Sequence, residues 1–362
     1  MSVSATLRFF TRTKGSADGS SKLGAQDIVA YGYLLLGILI ILIPVLWTVV
    51  SSIKPDTAIE SFDTRIMPYD QILTEIPGVG EKSLWIWTDE DGNSQDVFKA
   101  GPTRSQTDVA SPETPDDVFQ VPRRQLTPAE EIRIATENYL DPLLQREGQR
   151  FFNFKLLLWN TVFVTVVATL ITLLINSMAA FALSKYQFRG RLTFTLLIVA
   201  TLLIPNTIIL VSLFFVVWSF GIFGSLWGVI IPAAATPTGV FLLRQYMLTI
   251  PDELLEAARM DAASEWRIYW RIILPLSLPA LSVLAILSTI WRWNDYLWPL
   301  IVLISDPSAH TIQIGLTAFS GEFDQDHHYI LAMTVVSLIP VTLVFVWLQR
   351  FITTGISTTG LK

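Results

Sequence analysis

Long apolar runs separated by short polar connections are the dominant pattern of this chain. A membrane-spanning helix needs about 20 consecutive apolar residues. Stretches without a charged side chain reach or exceed that length at Ile28–Ile53, Leu156–Ser184, Leu192–Leu243, Ile272–Trp291 and Ile330–Gln349. The run Leu192–Leu243 is about twice the length of one span, and residues 219–226 divide it into two. We therefore predict an all-α integral membrane protein with six transmembrane helices.

The amino-acid composition also indicates a membrane protein. Charged residues make up 15% of it, whereas a soluble domain usually has about 25%. The sequence contains no cysteine, which excludes a disulfide framework and a cysteine-ligated metal site. The net charge of −6 is uneven, because residues 54–152 hold 19 acidic and 10 basic side chains. Acidity concentrated in one insertion argues against a nucleic-acid partner.

Cationic residues in the short connections predict the orientation. Lysine and arginine accumulate in the cytoplasmic loops of membrane proteins. They occur in the N-terminal tail, in residues 185–191 and 244–271, and near the C-terminus, whereas residues 219–226 and 305–329 contain neither. We predict that both termini and the loop 244–275 are cytoplasmic.

The polar segments complete the predicted domain organisation. The parts are a cytoplasmic tail (1–27), the first transmembrane helix (28–53), a large mixed extracytoplasmic insertion (54–153), a core holding the other five helices (154–349) and a second cytoplasmic tail (350–362).

The insertion contains local signals for both strand and helix. Residues Leu84–Trp87 favour a short strand. Thr127 as a cap, Pro128 in the first turn and two early glutamates predict a helix over residues 128–140. Two interpretations of the insertion remain: a loosely folded loop, or a small domain that contacts a soluble partner.

Prolines predict breaks within the third and fourth spans, at Pro205–Asn206 and at Pro232 and Pro237. Irregular backbone at membrane depth must be buried in protein or line water. Asn206 is thus a candidate for a pathway or gate, with a simple kink as the alternative.

Aromatic and polar residues are concentrated at the end of the fifth span. A membrane-interface belt is one explanation, and a surface facing a sugar-sized solute is the other. The candidate pathway residues here are Trp293, Asn294, Asp295 and Tyr296. The nearby segment Asp324–His328 has metal-ligand chemistry but no third cluster, so we predict a solvated loop and no metal site.

The charged stretch 251–275 lies between two apolar spans. Pro251 suits the first turn of a helix, and Asp252, Glu253 and Glu256 complement its dipole. Ser264 predicts the cap of a second helix that ends at Pro275. The product is a helix-turn-helix on the cytoplasmic membrane surface.

This stretch resembles the signature of the membrane subunits of binding-protein-dependent ABC importers, in which Glu-Ala-Ala, three residues, glycine, nine residues and Ile-x-Leu-Pro recur. The matching positions are Glu256, Ala257, Ala258, Asp261, Ala262, Ile272, Leu274 and Pro275. Further segments resemble the carbohydrate branch of that family, of the maltose type. They are Ser51–Pro55, Asn160, Lys185–Arg191, Trp293–Asp295 and Gly355–Lys362. The large insertion is similar to that of alpha-glucoside-type relatives.

The resemblance implies a sugar permease in the bacterial inner membrane without its own chemistry. Its expected partners are a second related permease subunit, an ATPase dimer, an extracytoplasmic sugar-binding protein and membrane lipid. No cofactor is expected on this chain, and ATP and Mg²⁺ are expected on the ATPase. Residues 251–275 would dock on that ATPase, with Glu256 pairing with a basic residue. The tail residues Gly355, Gly360 and Lys362 would approach the same partner.

Ala262 departs from the family pattern, because glycine at this turn permits a positive φ. Either Ala262 adopts that conformation under strain or the turn closes differently. Three alternatives to a sugar permease are a permease for another solute, an integral-membrane enzyme using Asp324 and Asp326, and a sensor or scaffold subunit. The sequence has no phosphate-binding GxxxxGK[S/T] loop.

Overall fold

The computed structural model describes residues 25–61, 64–89, 92–102, 105–144, 153–318 and 326–358. They fall into two compact units that divide between Ile134 and Ala135. Most of the predicted tail 1–27 lies outside the described residues.

The first unit begins with two helices, α1 (Ala25–Ser51) and α2 (Asp56–Glu60). Most apolar side chains of α1 are exposed, and residues Val29–Ser51 are long and apolar enough to cross a membrane. Pro44 lies inside α1, which a helix in lipid tolerates where neighbouring groups satisfy the freed carbonyl.

The rest of the first unit is a folded, sheet-rich insertion. Its strands are β1 (Tyr69–Gln71), β2 (Leu73–Ile76), β3 (Gly80–Thr88), β4 (Ser94–Lys99), β5 (Gln106–Ser111), β6 (Thr114–Pro122), β7 (Leu126–Pro128) and β8 (Glu130–Ile132), with a 3₁₀ turn at Arg123–Gln125. β1 pairs with β8, and the six-stranded sheet has the order β2-β3-β4-β5-β6, with β7 also pairing with β3. All pairings are antiparallel.

Alternating side chains of these strands form a small core around Val97, Val109, Val121 and Leu126. The predicted strand at Leu84–Trp87 is confirmed as part of β3. This insertion is a folded unit and not a loose loop.

The predicted helix over 128–140 is wrong for most of its length. Pro128 pairs with Trp85 in the sheet, and the Thr127 hydroxyl donates to the carbonyl oxygen of Ile86 instead of capping a helix. The proline φ suits extended backbone as well as a first helical turn, so strand pairing decides the outcome. Helix α3 begins only at Glu137 and ends at Leu144.

The second unit is helical throughout its described residues. After α3 its helices are α4 (Phe154–Lys185), α5 (Arg191–Thr201), α6 (Asn206–Ser219), α7 (Leu226–Ile230), α8 (Pro237–Met247), α9 (Glu253–Met260), α10 (Glu265–Ile268), α11 (Leu274–Leu276), α12 (Leu278–Trp293), α13 (Leu297–Val302), α14 (Ile312–Ala318) and α15 (His327–Thr358). A π-helical segment, Tyr269–Ile273, joins α10 to α11, and a 3₁₀ turn covers Pro307–Ala309.

Three described helices are long and apolar enough to cross a membrane singly: α1, α4 and α15. Two bent helical pairs pass the same test, α5 with α6 at 104° and the run Glu265–Leu276 with α12 at 75°. The break between α5 and α6 lies at the predicted Pro205. The fourth predicted span is divided into α7 and α8 around Pro232 and Pro237.

Polar side chains on α4 and α12, buried Asn176 and half-buried Arg292, satisfy the backbone freed by the break between α7 and α8. Asn176 accepts a hydrogen bond from the Thr236 amide at 3.1 Å and donates to the Thr236 hydroxyl at 2.8 Å. Arg292 donates to the carbonyl oxygen of Ala233 and to the Thr172 hydroxyl, both at 2.6 Å. These contacts fix the broken segment between two continuous helices, as unpaired backbone groups in lipid are costly.

Candidate functional site

One face of helix α9 packs against the rest of the second unit, and the opposite face is exposed. Leu255 is buried in an apolar cluster and Ala258 packs against that cluster. Glu256, Ala257 and Asp261 are exposed. The narrow apolar stripe therefore attaches the helix to the unit, while the signature acid faces outward.

The turn after α9 has the geometry that a glycine usually supplies. Ala262 has φ of +54° and is the single non-glycine residue with positive φ in the described part of the chain. The Ala263 amide donates to the Ala258 carbonyl oxygen and the Ala262 amide donates to that of Arg259, both at 3.0 Å. This pair of bonds is a Schellman motif, which requires a left-handed residue at this position. Ala262 therefore adopts the left-handed conformation under strain.

The second helix begins where the sequence predicts. The Ser264 hydroxyl accepts a hydrogen bond from the Arg267 amide at 3.3 Å. Ile268 and Tyr269 are buried, Ile272 and Leu274 are half-buried, and Pro275 is exposed.

The predicted end at Pro275 is confirmed to within one residue, because the helix ends at Leu276. Helical backbone continues through the π segment and Leu276, and the 75° bend falls at Ser277. Proline lacks an amide hydrogen and clashes with the preceding turn of an α-helix. The π-helical segment immediately before Pro275 is wider than an α-helical turn and accommodates the proline ring and its missing amide hydrogen.

Lys185 and Tyr186 attach the stretch 251–275, and the residue before it, to the end of α4. Lys185 Nζ donates to the Ile250 carbonyl oxygen at 2.5 Å and lies 2.7 Å from Asp252 Oδ1. The Lys185 side chain is 2% exposed, so its charge needs these partners. The Tyr186 hydroxyl donates to Glu265 Oε2 at 2.5 Å.

Glu265 is held from its other side by Arg259, whose guanidinium makes bonds of 2.9 and 3.3 Å to the two carboxylate oxygens. Hydrogen bonds from Arg259 and then Tyr186 lower the pKa of Glu265. Burial, followed by the hydrogen bond to Glu265, raises the pKa of Tyr186 to about 12. At neutral pH the tyrosine is therefore a donor and the glutamate an acceptor.

The candidate pathway residues lie on two separate elements. Asn206 is the first residue of α6 and is exposed. The other four follow one another at the junction of α12 and α13, where Trp293 is buried, Asp295 is half-buried, and Asn294 and Tyr296 are exposed. The Asn294 side chain donates to the Ile290 carbonyl oxygen at 2.8 Å, which ends α12.

The predicted tail is partly helical. Gly355 lies within α15, which continues to Thr358. Gly360 and Lys362 lie outside the described residues, as does Asp324. Within the described ranges no group of three acidic or histidine side chains could hold a metal ion.

Comparison with known proteins identifies the family. Residues 173–358, just over half of the chain, match the model of the binding-protein-dependent transport system inner membrane component. The chain belongs to this family. The matched range includes the whole of the stretch 251–275.

Curated relatives of this inner membrane component agree with the family model. The arabinooligosaccharides transport system permease protein AraQ of Halalkalibacterium halodurans is 36% identical over 203 residues, covering 56% of this chain and 72% of the relative. The sn-glycerol-3-phosphate transport system permease protein UgpE of Brucella abortus is 35% identical over 202 residues, covering 55% and 71%.

A solved structure shares the fold. A chain of a bacterial ABC transporter involved in the import of the acidic polysaccharide alginate aligns with TM-score 0.61 and 22% identity, covering 91% of this chain and 99% of that one. The helical membrane fold of this transport component is therefore established.

Sequence reasoning missed the residues that attach the stretch 251–275 to the rest of the component. In the sequence, Lys185 is a topology signal and, with Tyr186, part of a segment that resembles the carbohydrate branch, but neither residue is predicted to contact the stretch 251–275, and Glu265 has no predicted role. One available signal was the run of polar residues at helical spacing in the otherwise apolar α4. That run comprises Asn160, Thr161, Thr165, Thr169, Thr172, Asn176 and Ser177, all of them buried.

Proposed function

We propose that this chain is a permease subunit of an ATP-driven sugar importer and forms half of the translocation pathway. The observation that carries the proposal is the stretch 251–275, hereafter the coupling loop. Its apolar side is anchored in the unit, and the signature residues Glu256, Ala257 and Asp261 remain exposed. A helix whose apolar face is packed in the unit and whose acidic face is exposed is suited to docking on a soluble partner.

The partner that docks there is an ATPase dimer carrying ATP and Mg²⁺. A second, related permease subunit completes the pathway, and a soluble extracytoplasmic sugar-binding protein delivers the solute. Closure of the ATPase would move the coupling loop and with it the spanning helices, a rigid-body switch between two states. The C-terminal tail with Gly355, Gly360 and Lys362 would approach the same ATPase.

Six spans with both termini cytoplasmic remain our proposal for the topology in the inner membrane. Three single helices and two bent pairs meet the length and composition of spans. The broken pair α7 and α8 supplies the remaining span, supported by the polar contacts that satisfy its backbone. The proposed pathway or gate residues are Asn206 and residues 293–296.

The substrate class rests on the relatives. The AraQ proteins are named for arabinooligosaccharides, which favours a sugar. The UgpE relatives are named for sn-glycerol-3-phosphate, which supports a phosphorylated polyol as the second candidate. The folded insertion is proposed to contact the soluble binding protein.

Reconstituted vesicles test the coupling loop. We expect the charge reversal Glu256→Lys to abolish ATP-dependent sugar uptake, because it places a cation against the proposed basic residue of the ATPase. Arg189→Glu reverses an exposed charge that lies outside both the coupling loop and the insertion, and it serves as the control with uptake retained. Normal uptake by an intact Glu256→Lys complex would refute the docking role. Accumulation that survives replacement of Asp324 and Asp326 would exclude the enzyme alternative.

A further inference from the structure

Helix α4 is an uninterrupted rod. It runs for 32 residues from Phe154 to Lys185, about 48 Å at the usual helical rise. Its sequence contains neither proline nor glycine, the residues at which helices usually kink. A rod of this kind can transmit a displacement from one end to the other.

The inner end of the rod is bound to both halves of the coupling loop. Lys185 holds the residues that precede α9, through Ile250 and Asp252. Tyr186, directly after the rod, holds Glu265 in α10.

Two further contacts, made by residues within α4, also attach it to the coupling loop. The Ser177 and Tyr269 hydroxyls lie 2.7 Å apart, both buried. The rings of Phe181 and Tyr269 pack with centroids 5.7 Å apart. The loop therefore cannot shift without displacing α4 or breaking these contacts.

The other end of the rod is bound to residues 307–318. Asn160 Nδ2 donates to the carbonyl oxygens of Ser308 and His310, at 2.8 and 3.0 Å. The Thr161 hydroxyl accepts a hydrogen bond from the Ile312 amide at 2.8 Å. Packing is close as well, because a Cβ added at Gly315 would lie 2.2 Å from a methyl carbon of Leu157.

The helices covalently joined to the loop are poorer transmitters. The preceding helix α8 has 11 residues and begins directly after the break that follows α7. The following helix α12 is separated from the loop by the 75° bend at Ser277. Displacement can be absorbed at a break or a bend, whereas α4 has neither.

We propose that α4 links the coupling loop mechanically to residues 307–318, with Lys185 and Tyr186 as positioning residues at one end and Asn160 at the other. This inference rests on the proposed function, which places the loop on the ATPase and residues 307–318 on the outer side. Nucleotide binding on the cytoplasmic side would then change the environment of residues 307–318 through side-chain contacts distant in sequence.

Because this chain contains no cysteine, one introduced cysteine gives it a single position for a spin label. A nitroxide label on Thr317→Cys, an exposed position of α14, reports on the outer segment in the assembled complex in lipid nanodiscs. We expect a non-hydrolysable ATP analogue to change the label's spectrum. The change should be about threefold smaller when Lys185→Gln and Tyr186→Phe are combined, the size expected for weakened coupling contacts. Asn160→Leu should have the same effect from the other end.

Controls separate transmission from folding and docking. Arg189→Gln removes an exposed cation from the turn after α4, outside the coupling loop, and should leave the response unchanged. Lys185→Arg, which keeps the cation, should restore most of it. ATPase copurification and thermal stability should be equal in all variants. A full response in the Lys185→Gln, Tyr186→Phe variant overturns the rod proposal alone. Failure of the unsubstituted complex to retain the ATPase, or to respond to the nucleotide, overturns the proposed function and this inference with it.

Discussion

The strain at Ala262 leads to a quantitative prediction. An L-residue in the left-handed conformation costs about 1–2 kcal/mol relative to its preferred conformation. Ala262→Gly removes that cost but gives the unfolded chain additional freedom, worth about 0.4–1 kcal/mol in the opposite direction. We expect a net stabilisation of the turn by about 0.5–1 kcal/mol, since both Schellman hydrogen bonds are kept.

Amide hydrogen exchange can measure this effect. The Ala263 amide, bonded to the Ala258 carbonyl oxygen at 3.0 Å, should exchange about two to five times more slowly in Ala262→Gly. Ala257→Gly is the matched control, because Ala257 lies inside α9 with ordinary helical backbone. There the same substitution should destabilise the helix by about 1 kcal/mol and speed exchange.

The two glycine substitutions must act in opposite directions. If Ala262→Gly leaves exchange at Ala263 unchanged or makes it faster, while Ala257→Gly behaves as expected, the reasoning from backbone strain is refuted. An exchange rate that slows in both variants would show that glycine acts on the loop as a whole and not through the conformation of residue 262.

Two further predictions concern neighbouring contacts. Glu265 has a lowered pKa, so its contribution to stability is present above its ordinary value of 4.5 and is lost only as pH falls through the lower folded value. Tyr186 has a raised pKa, so its contribution to stability is complete below pH 10 and is lost as pH rises through about 12. The difference in phenolate absorbance between the unsubstituted protein and Tyr186→Phe should titrate with a midpoint at that pH. Glu265→Gln should lower the midpoint. A midpoint at 10 would contradict the contact. Asn176→Ala should destabilise the second unit by about 1–3 kcal/mol, because it removes both hydrogen bonds of the buried Asn176 side chain and leaves the half-buried Thr236 amide without this acceptor. A thermal-unfolding midpoint in detergent equal to that of the unsubstituted chain would contradict this role.

Local patterns were sufficient for much of the fold. Apolar runs identified α1, α4 and α15, and Pro205, Pro232 and Pro237 identified the breaks. Ser264 identified the start of α10. Each signal depends on a few neighbouring residues, such as a missing amide hydrogen or a side chain that caps its own helix.

The predicted helix over residues 128–140 failed because a strand distant in sequence competes with the local preference for a helix. Thr127 and Pro128 form an acceptable helix start, yet pairing with β3 uses the same backbone in a sheet.

Apolar length and motif spacing are properties of a linear pattern, so they suffice to identify a membrane component with the signature stretch 251–275. The left-handed conformation of Ala262 arises only in the folded chain. The same holds for the contacts of Lys185 and Tyr186 with the coupling loop and of Asn160 with residues 308–310. Those contacts join residues separated by 67, 79 and about 150 positions. No local propensity specifies them, because they exist only after the helices have packed.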